Sequence, residues 1–151
     1  MTDHASQRAI IDASPEQCFE VASNFASYPE WASDIKHAEV QRLDDDGRGG
    51  DVTFRAAAMG RSTTYTLRYY YGSNPLRIAW KQLEGDITSK LDGEYEFLTV
   101  GDNPAQTEVV YHLEALLVVP IPGFVKRRAE SRIIRTALED LRQRIEATVT
   151  T

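Results

Sequence analysis

The sequence holds one cysteine, two methionines and three histidines in 151 residues, with no long apolar run and no excess of positive charge. Each scarcity excludes something. Cys18 alone can form no internal disulfide, so the fold requires no oxidising compartment. The longest apolar stretch, Leu116–Pro122, contains two prolines and falls well short of the ~20 residues that a membrane-spanning helix needs. A net charge of −6 argues against nucleic acid as the main partner. Residues 1–7 have neither the basic start nor the apolar centre of a secretory signal. The histidines and the cysteine lack metal-ligand spacing, and the run Asp44-Asp45-Asp46-Gly47 has Arg42 and Thr53 where a calcium loop needs acids. The expectation is a cytoplasmic protein with no metal and no cofactor.

What is present is well organised. At 42% hydrophobic and 26% charged, residues 1–151 read as a single globular domain. A strand near Ser6–Asp12 leads to Ser14, with Pro15 next and Gln17 three positions on, the pattern of a capping box with proline where it costs no hydrogen bond. Cys18, Val21, Ala22 and Phe25 recur at helical spacing. Tyr28-Pro29-Glu30-Trp31 then stops that helix and starts a short second one. Alternating segments follow at about 35–43, 51–58, 62–71, 77–84, 87–99 and 106–118, joined by short turns, as expected of an antiparallel meander. Pro120-Ile121-Pro122-Gly123 opens a long helix over about 124–148, with Ile134, Ala137, Leu138, Leu141 and Ile145 as its buried stripe. The same stripe projects N-terminally through Arg127, Glu130 and Ser131.

Successive side chains of a strand point to opposite faces. Sorted this way, the inner face carries Val52, Phe54, Ala56 and Ala58, then Tyr65, Leu67, Tyr69 and Tyr71, then Ile78, Trp80 and Gln82, then Tyr95 and Phe97, then Val109, Tyr111 and Leu113. Glu84 is a further inward candidate. A dry core would more simply be aliphatic, because each buried phenol or indole needs a partner for its polar tip. Many phenols beside small alanines suggest an interior that is partly hollow. The bland reading is that the rings fill a core and backbone groups cap their hydroxyls.

The ordered set Asp12-Ala13-Ser14-Pro15-Glu16, Tyr28-Pro29-Glu30-Trp31, Ile78-Ala79-Trp80, Leu91-Asp92-Gly93-Glu94-Tyr95 and Pro120–Glu130 resembles the START-like (SRPBCC) superfamily, which includes polyketide cyclases/dehydrases and coenzyme Q-binding proteins. The resemblance implies an α+β helix-grip fold. A curved seven-stranded antiparallel sheet would surround a long C-terminal helix, with two short helices between the first two strands. It also implies a cavity for a small hydrophobic molecule such as a lipid, isoprenoid or polyketide. It does not fix a reaction, since one fold hosts many chemistries.

Within that frame the ligand-binding candidates are Phe54, Tyr65, Tyr69, Trp80, Gln82, Tyr95, Phe97 and Tyr111, with Arg127 and Ser131 at the polar end of the last helix. Phe25, Tyr28 and Trp31 are expected near the cavity wall. The alternation sends His112, Glu94, Glu96, Glu108 and Glu114 outward, and His37 as well, so no acid/base pair stands out and no catalytic residue is assigned. The first reading is a binder or carrier; the alternative is an aromatase/cyclase that positions a polyketone with its phenols and Arg127. Residues 116–125, followed by Lys126-Arg127-Arg128, allow transient contact with an anionic membrane. The plainer reading, a strand end and a proline-defined helix start, is the favoured one, because only three basic residues are involved. The sequence sets no oligomeric state.

Overall fold

Strand alternation and a capped first helix build one curved sheet closed by helices. A computed structural model describes residues 3–58, 60–118 and 120–149, the side chains of Asp3, His4, Ala58 and Arg61 excepted. In chain order the elements are β1 (Asp3–Ile11), α1 (Pro15–Ser23), a single 3-10 turn (Phe25–Ser27), α2 (Tyr28–Trp31), β2 (Ile35–Leu43), β3 (Gly49–Ala58), β4 (Arg61–Ser73), β5 (Leu76–Gly85), β6 (Thr88–Val100), β7 (Asn103–Leu117) and α3 (Gly123–Val149). The strands form a single antiparallel sheet in the order β1-β7-β6-β5-β4-β3-β2. Consecutive hairpins thus make six strands of the sheet, and β1 adds to the β7 edge. This is the helix-grip fold that the resemblance implied.

Helix α1 begins as its sequence dictates. The Ser14 hydroxyl accepts from the Gln17 amide at 3.2 Å, and the Gln17 side chain accepts from the Ser14 amide at 2.9 Å. Its buried face is Cys18, Phe19 and Ala22, while Val21 is only half-buried. The helix is rotated toward Phe19 because that ring meets Phe97 and Tyr71 edge-on, with centroids 6.0 and 5.9 Å apart. In α3 the buried residues are Glu130, Ile134, Leu138, Leu141 and Ile145. Arg127 and Ser131 are exposed, so the stripe continues N-terminally through Glu130 alone.

The inner face follows the alternation closely: Val52, Phe54, Leu67, Tyr69, Ile78, Trp80, Tyr95, Phe97, Val109, Tyr111 and Leu113 are all buried. Ala58 and Met59, expected at the inner face and the following turn, lie outside the described side chains. Glu84 is exposed, not inward. The register between β4 and β5 slips between Thr66 and Leu67, which removes the last residues of β5 from simple alternation. The β5–β6 ladder runs only from Leu76–Phe97 to Trp80–Gly93. Beyond it the Gln82 amide donates to the Asp92 carboxylate at 3.1 Å instead of a strand neighbour. The two strands therefore splay at one end of the sheet.

Gly93 explains how Trp80 fits at that fork. A β-carbon there would sit 2.4 Å from Cζ2 of Trp80, so the indole lies directly on the glycine backbone. The quoted segments Ile78-Ala79-Trp80 and Leu91–Tyr95 are thus two sides of one contact.

Candidate functional site

Between the splayed end of the sheet and the first half of α3 lies a cavity of about 190 Å³. Its wall includes Phe54, Tyr65, Leu67, Tyr69, Trp80, Tyr95, Tyr111 and Leu113 from the sheet. Tyr28 and Trp31 close it from α2, and Ala129, Ile133, Thr136 and Ala137 face it from α3. The rim includes exposed Ala57 and half-buried Ile87, Leu117 and Lys126.

Six of the ten ligand-binding candidates meet in this wall: Phe54, Tyr65, Tyr69, Trp80, Tyr95 and Tyr111. The other four do not line it. Phe97 is under α1, stacked on Tyr95 at 6.1 Å and packed on Phe19. Gln82 spends its amide on Thr88, donating to its carbonyl at 2.7 Å and accepting from its hydroxyl at 2.5 Å. Arg127 and Ser131 face solvent at the N-terminal end of α3. Tyr28 and Trp31 are in the wall, as the corner suggested, whereas Phe25 packs behind Tyr69 at 4.2 Å.

Sequence sorting missed the α3 contribution. Ala137, expected in the buried stripe, is half-buried and faces the cavity, and Ala129, Ile133, Thr136 and Asp140 recur at helical spacing beside it as a second face of small and mixed side chains. That face is legible as a spacing, but its mostly small and polar side chains give it no hydrophobic periodicity of its own.

The phenols divide into two groups. Tyr71 donates to the Gly49 carbonyl at 2.6 Å, and Tyr28 donates to the Ala22 carbonyl. These two hydroxyls are structural. Those of Tyr65, Tyr69, Tyr95 and Tyr111 make no hydrogen bond among the described residues, and none of the four oxygens is sealed from the cavity space. The Trp31 Nε1 donor, also in the wall, is buried without a partner among the described residues. Burial pushes all four of these phenols well above the ordinary tyrosine range. They are neutral donors at any physiological pH, suited to a carbonyl or hydroxyl oxygen and unable to act as bases.

Among the described residues, the carboxylates that line the cavity are Asp34, after α2, and Glu130 and Asp140 of α3. Asp140 accepts from the Ser33 amide at 2.9 Å and from its hydroxyl at 2.8 Å. Among the described residues no histidine lines the cavity. His37 is exposed, and His112 sits on the outer face, 3.1 Å from Glu96. Cys18 is buried under α1, outside the cavity, and burial raises its thiol to about 11, so it is inert. No helix among the described residues is long and apolar enough to cross a membrane.

A gripped helix and an apolar cavity with free neutral donors define a ligand-holding fold, and the comparisons agree. The sequence matches the family described as "Polyketide cyclase / dehydrase and lipid transport" over residues 2–146, and the chain belongs to that family. No curated protein matches it in sequence. Among solved structures, a START superfamily protein from Mycobacterium smegmatis superposes with a TM-score of 0.89 at 23% identity, over 96% of this chain and 98% of that one. The Zhui aromatase/cyclase from a Streptomyces strain gives 0.85 at 16% identity, over 99% and 96%. A ginseng major latex-like protein from Panax ginseng gives 0.74 at 11% identity, over 95% and 97%. At these identities the likeness is one of fold.

Proposed function

We propose that this chain is a single ligand-binding domain that holds a small, largely apolar molecule carrying carbonyl or hydroxyl oxygens. The observation behind this reading is the set of four phenols with no hydrogen-bond partner among the described residues, in a largely apolar wall. An aliphatic ligand alone would leave four hydroxyls and an indole N–H unsatisfied, at roughly 1–3 kcal/mol each. A ligand with oxygens at matching positions removes that cost. Binding or carriage is the activity that the family and the cavity support in common. The setting is the cytoplasm, since a single buried thiol asks for no oxidising compartment.

Native mass spectrometry of protein purified from its own host tests the reading. A co-purifying lipid, isoprenoid or aromatic ketone supports it. Failure of such compounds to quench or shift the emission of Trp31 and Trp80 at saturating concentration overturns it.

A second reading has one observation of its own. Asp34, Glu130 and Asp140 line the same cavity as the phenols. In an aromatase/cyclase a carboxylate would take the α-proton of a polyketone while phenols polarise the ketone under attack, and ring closure would release water. Turnover of a polyketide thioester that is lost in Asp140→Asn, with binding retained, would favour this reading over carriage.

A further inference from the structure

We infer that the β7–α3 connector and the outer face of the first turns of α3 form a docking surface for an anionic lipid bilayer. Three large apolar side chains stand out from this end of the molecule: Val118 at 57% exposure, Phe124 at 61% and Val125 at 37%. Pro120 and Pro122 are exposed between them. The Pro122 carbonyl accepts from the Val125 and Lys126 amides at 3.1 Å, which fixes where the helix starts and holds Phe124 on its outer side. Val119, between Val118 and Pro120, lies outside the described residues.

On the exposed face of α3 beside this tip the charge has one sign. Phe124, Arg128, Arg132 and Arg135 fall at i, i+4, i+8 and i+11 on one exposed face, and exposed Arg127 flanks them. No ion pair among the described residues involves Arg127, Arg128, Arg132 or Arg135. Further along the same helix the pattern changes: Arg142 pairs with Glu139 and Glu146, and Arg144 pairs with Glu30. In a chain of net charge −6, four unpaired arginines around an apolar tip are a local concentration of positive charge.

An apolar tip with a cationic surround matches the boundary between acyl chains and anionic headgroups. A second copy of the chain fits less well, because a two-fold contact would set arginine against arginine. Leu117 and Lys126 belong both to this segment and to the cavity rim. Docking would therefore set the opening against the bilayer, whatever the ligand is.

The test is co-sedimentation of the full chain with vesicles of phosphatidylglycerol mixed into phosphatidylcholine, and with phosphatidylcholine alone. Binding is expected only to the anionic vesicles, weakening as salt rises. Neutralising Arg128 or Arg132 to Gln should lower partitioning by about fivefold each, and Phe124→Ser by about tenfold or more. Arg142→Gln, which removes an already paired charge, should change it little. All these side chains are exposed, so an unchanged melting temperature checks that each variant is folded. Absence of binding to anionic vesicles overturns the inference, and so does binding indifferent to both Phe124→Ser and the Arg128/Arg132 double variant. A dimer seen by light scattering, abolished by Phe124→Ser without any vesicle binding, would assign the patch to a second copy and overturn it too.

Discussion

Under α1, Phe19 meets Phe97 and Tyr71, and with Ile11, Cys18, Ile78 and Val109 they belong to one core in which Tyr71 alone is half-buried. Beneath the first half of α3, Trp80, Tyr95 and Tyr111 also touch one another, with centroids 4.6 to 5.7 Å apart, yet they border open space. Both ends carry packed aromatic rings. They differ in what the helices bring. Helix α1 offers a phenyl ring to fill the gap; α3 offers Ala129, Ile133, Thr136 and Ala137, which leave it open. They differ also in where the hydroxyls go: Tyr71 donates to a backbone carbonyl, whereas of the cavity phenols only Tyr28 does so and the other four have no partner among the described residues.

The largest expected effect strikes the closed end. Phe97→Ala removes a ring that is 2% exposed and should cost about 3–5 kcal/mol, read as a fall in urea midpoint. A cost under ~1 kcal/mol would mean that this end is loose too, and the contrast would fail. Next comes the seam between the ends. Gly93→Ala pushes a methyl group into Trp80, with an overpacking cost of about 1–3 kcal/mol and a shift in indole emission.

A smaller effect separates the two sets of phenols. Tyr71→Phe strips the Gly49 carbonyl of its donor and should cost about 1 kcal/mol of stability, with ligand affinity unchanged. Tyr95→Phe and Tyr111→Phe should do the opposite. They leave stability within ~0.5 kcal/mol and weaken an oxygen-bearing ligand by about fivefold each. Equal stability losses in all three variants would show that the cavity hydroxyls are structural after all.

How much of this contrast was visible in the sequence follows from its physical causes. Alternation is a local property, so the inward Phe54, Tyr65, Tyr69, Trp80, Tyr95 and Tyr111 could be read strand by strand, and six of them reach the cavity. The capping box around Ser14 is local as well. Where a side chain lies along the sheet, at the closed or the open end, depends on register and on which helix covers it; Phe97 therefore read like its neighbour Tyr95. The β4 register slip and the short β5–β6 ladder redirect Gln82, and neither is written in the alternation. Arg127 and Ser131 share the helical projection of Ile134, but both are exposed, because at this end of α3 the buried position passes to Glu130.

An end that side chains do not fill must be held another way, and at the open end polar ties take over. The Thr63 hydroxyl donates to the Asp86 carboxylate at 2.5 Å, and the Thr64 amide donates to it at 3.0 Å. Lys126 donates to the Ala115 carbonyl at 2.8 Å, and the Val118 amide to that of Ile87 at 2.9 Å. These bonds join the β5–β6 turn, β4 and the start of α3 around the rim. The hydrogen bond from Thr63 above all holds the Asp86 carboxyl below its ordinary 3.8 in the folded state. A group with a lowered folded pKa contributes stability above its unfolded pKa, and that contribution is lost as pH falls through the folded value. Below about pH 4, therefore, protons bind more readily to the loosened turn, and the tie weakens. Hydrogen exchange should quicken at the Thr64 and Asp86 amides as pH drops from 5 to 3, after correction for intrinsic rates, while amides of β6 and β7 beneath α1 hold steady. In Asp86→Asn the open end should exchange faster already at pH 5, and its extra acid response should vanish. Uniform loosening of both ends in acid would mean that one cooperative core, and not two differently held ends, governs the fold.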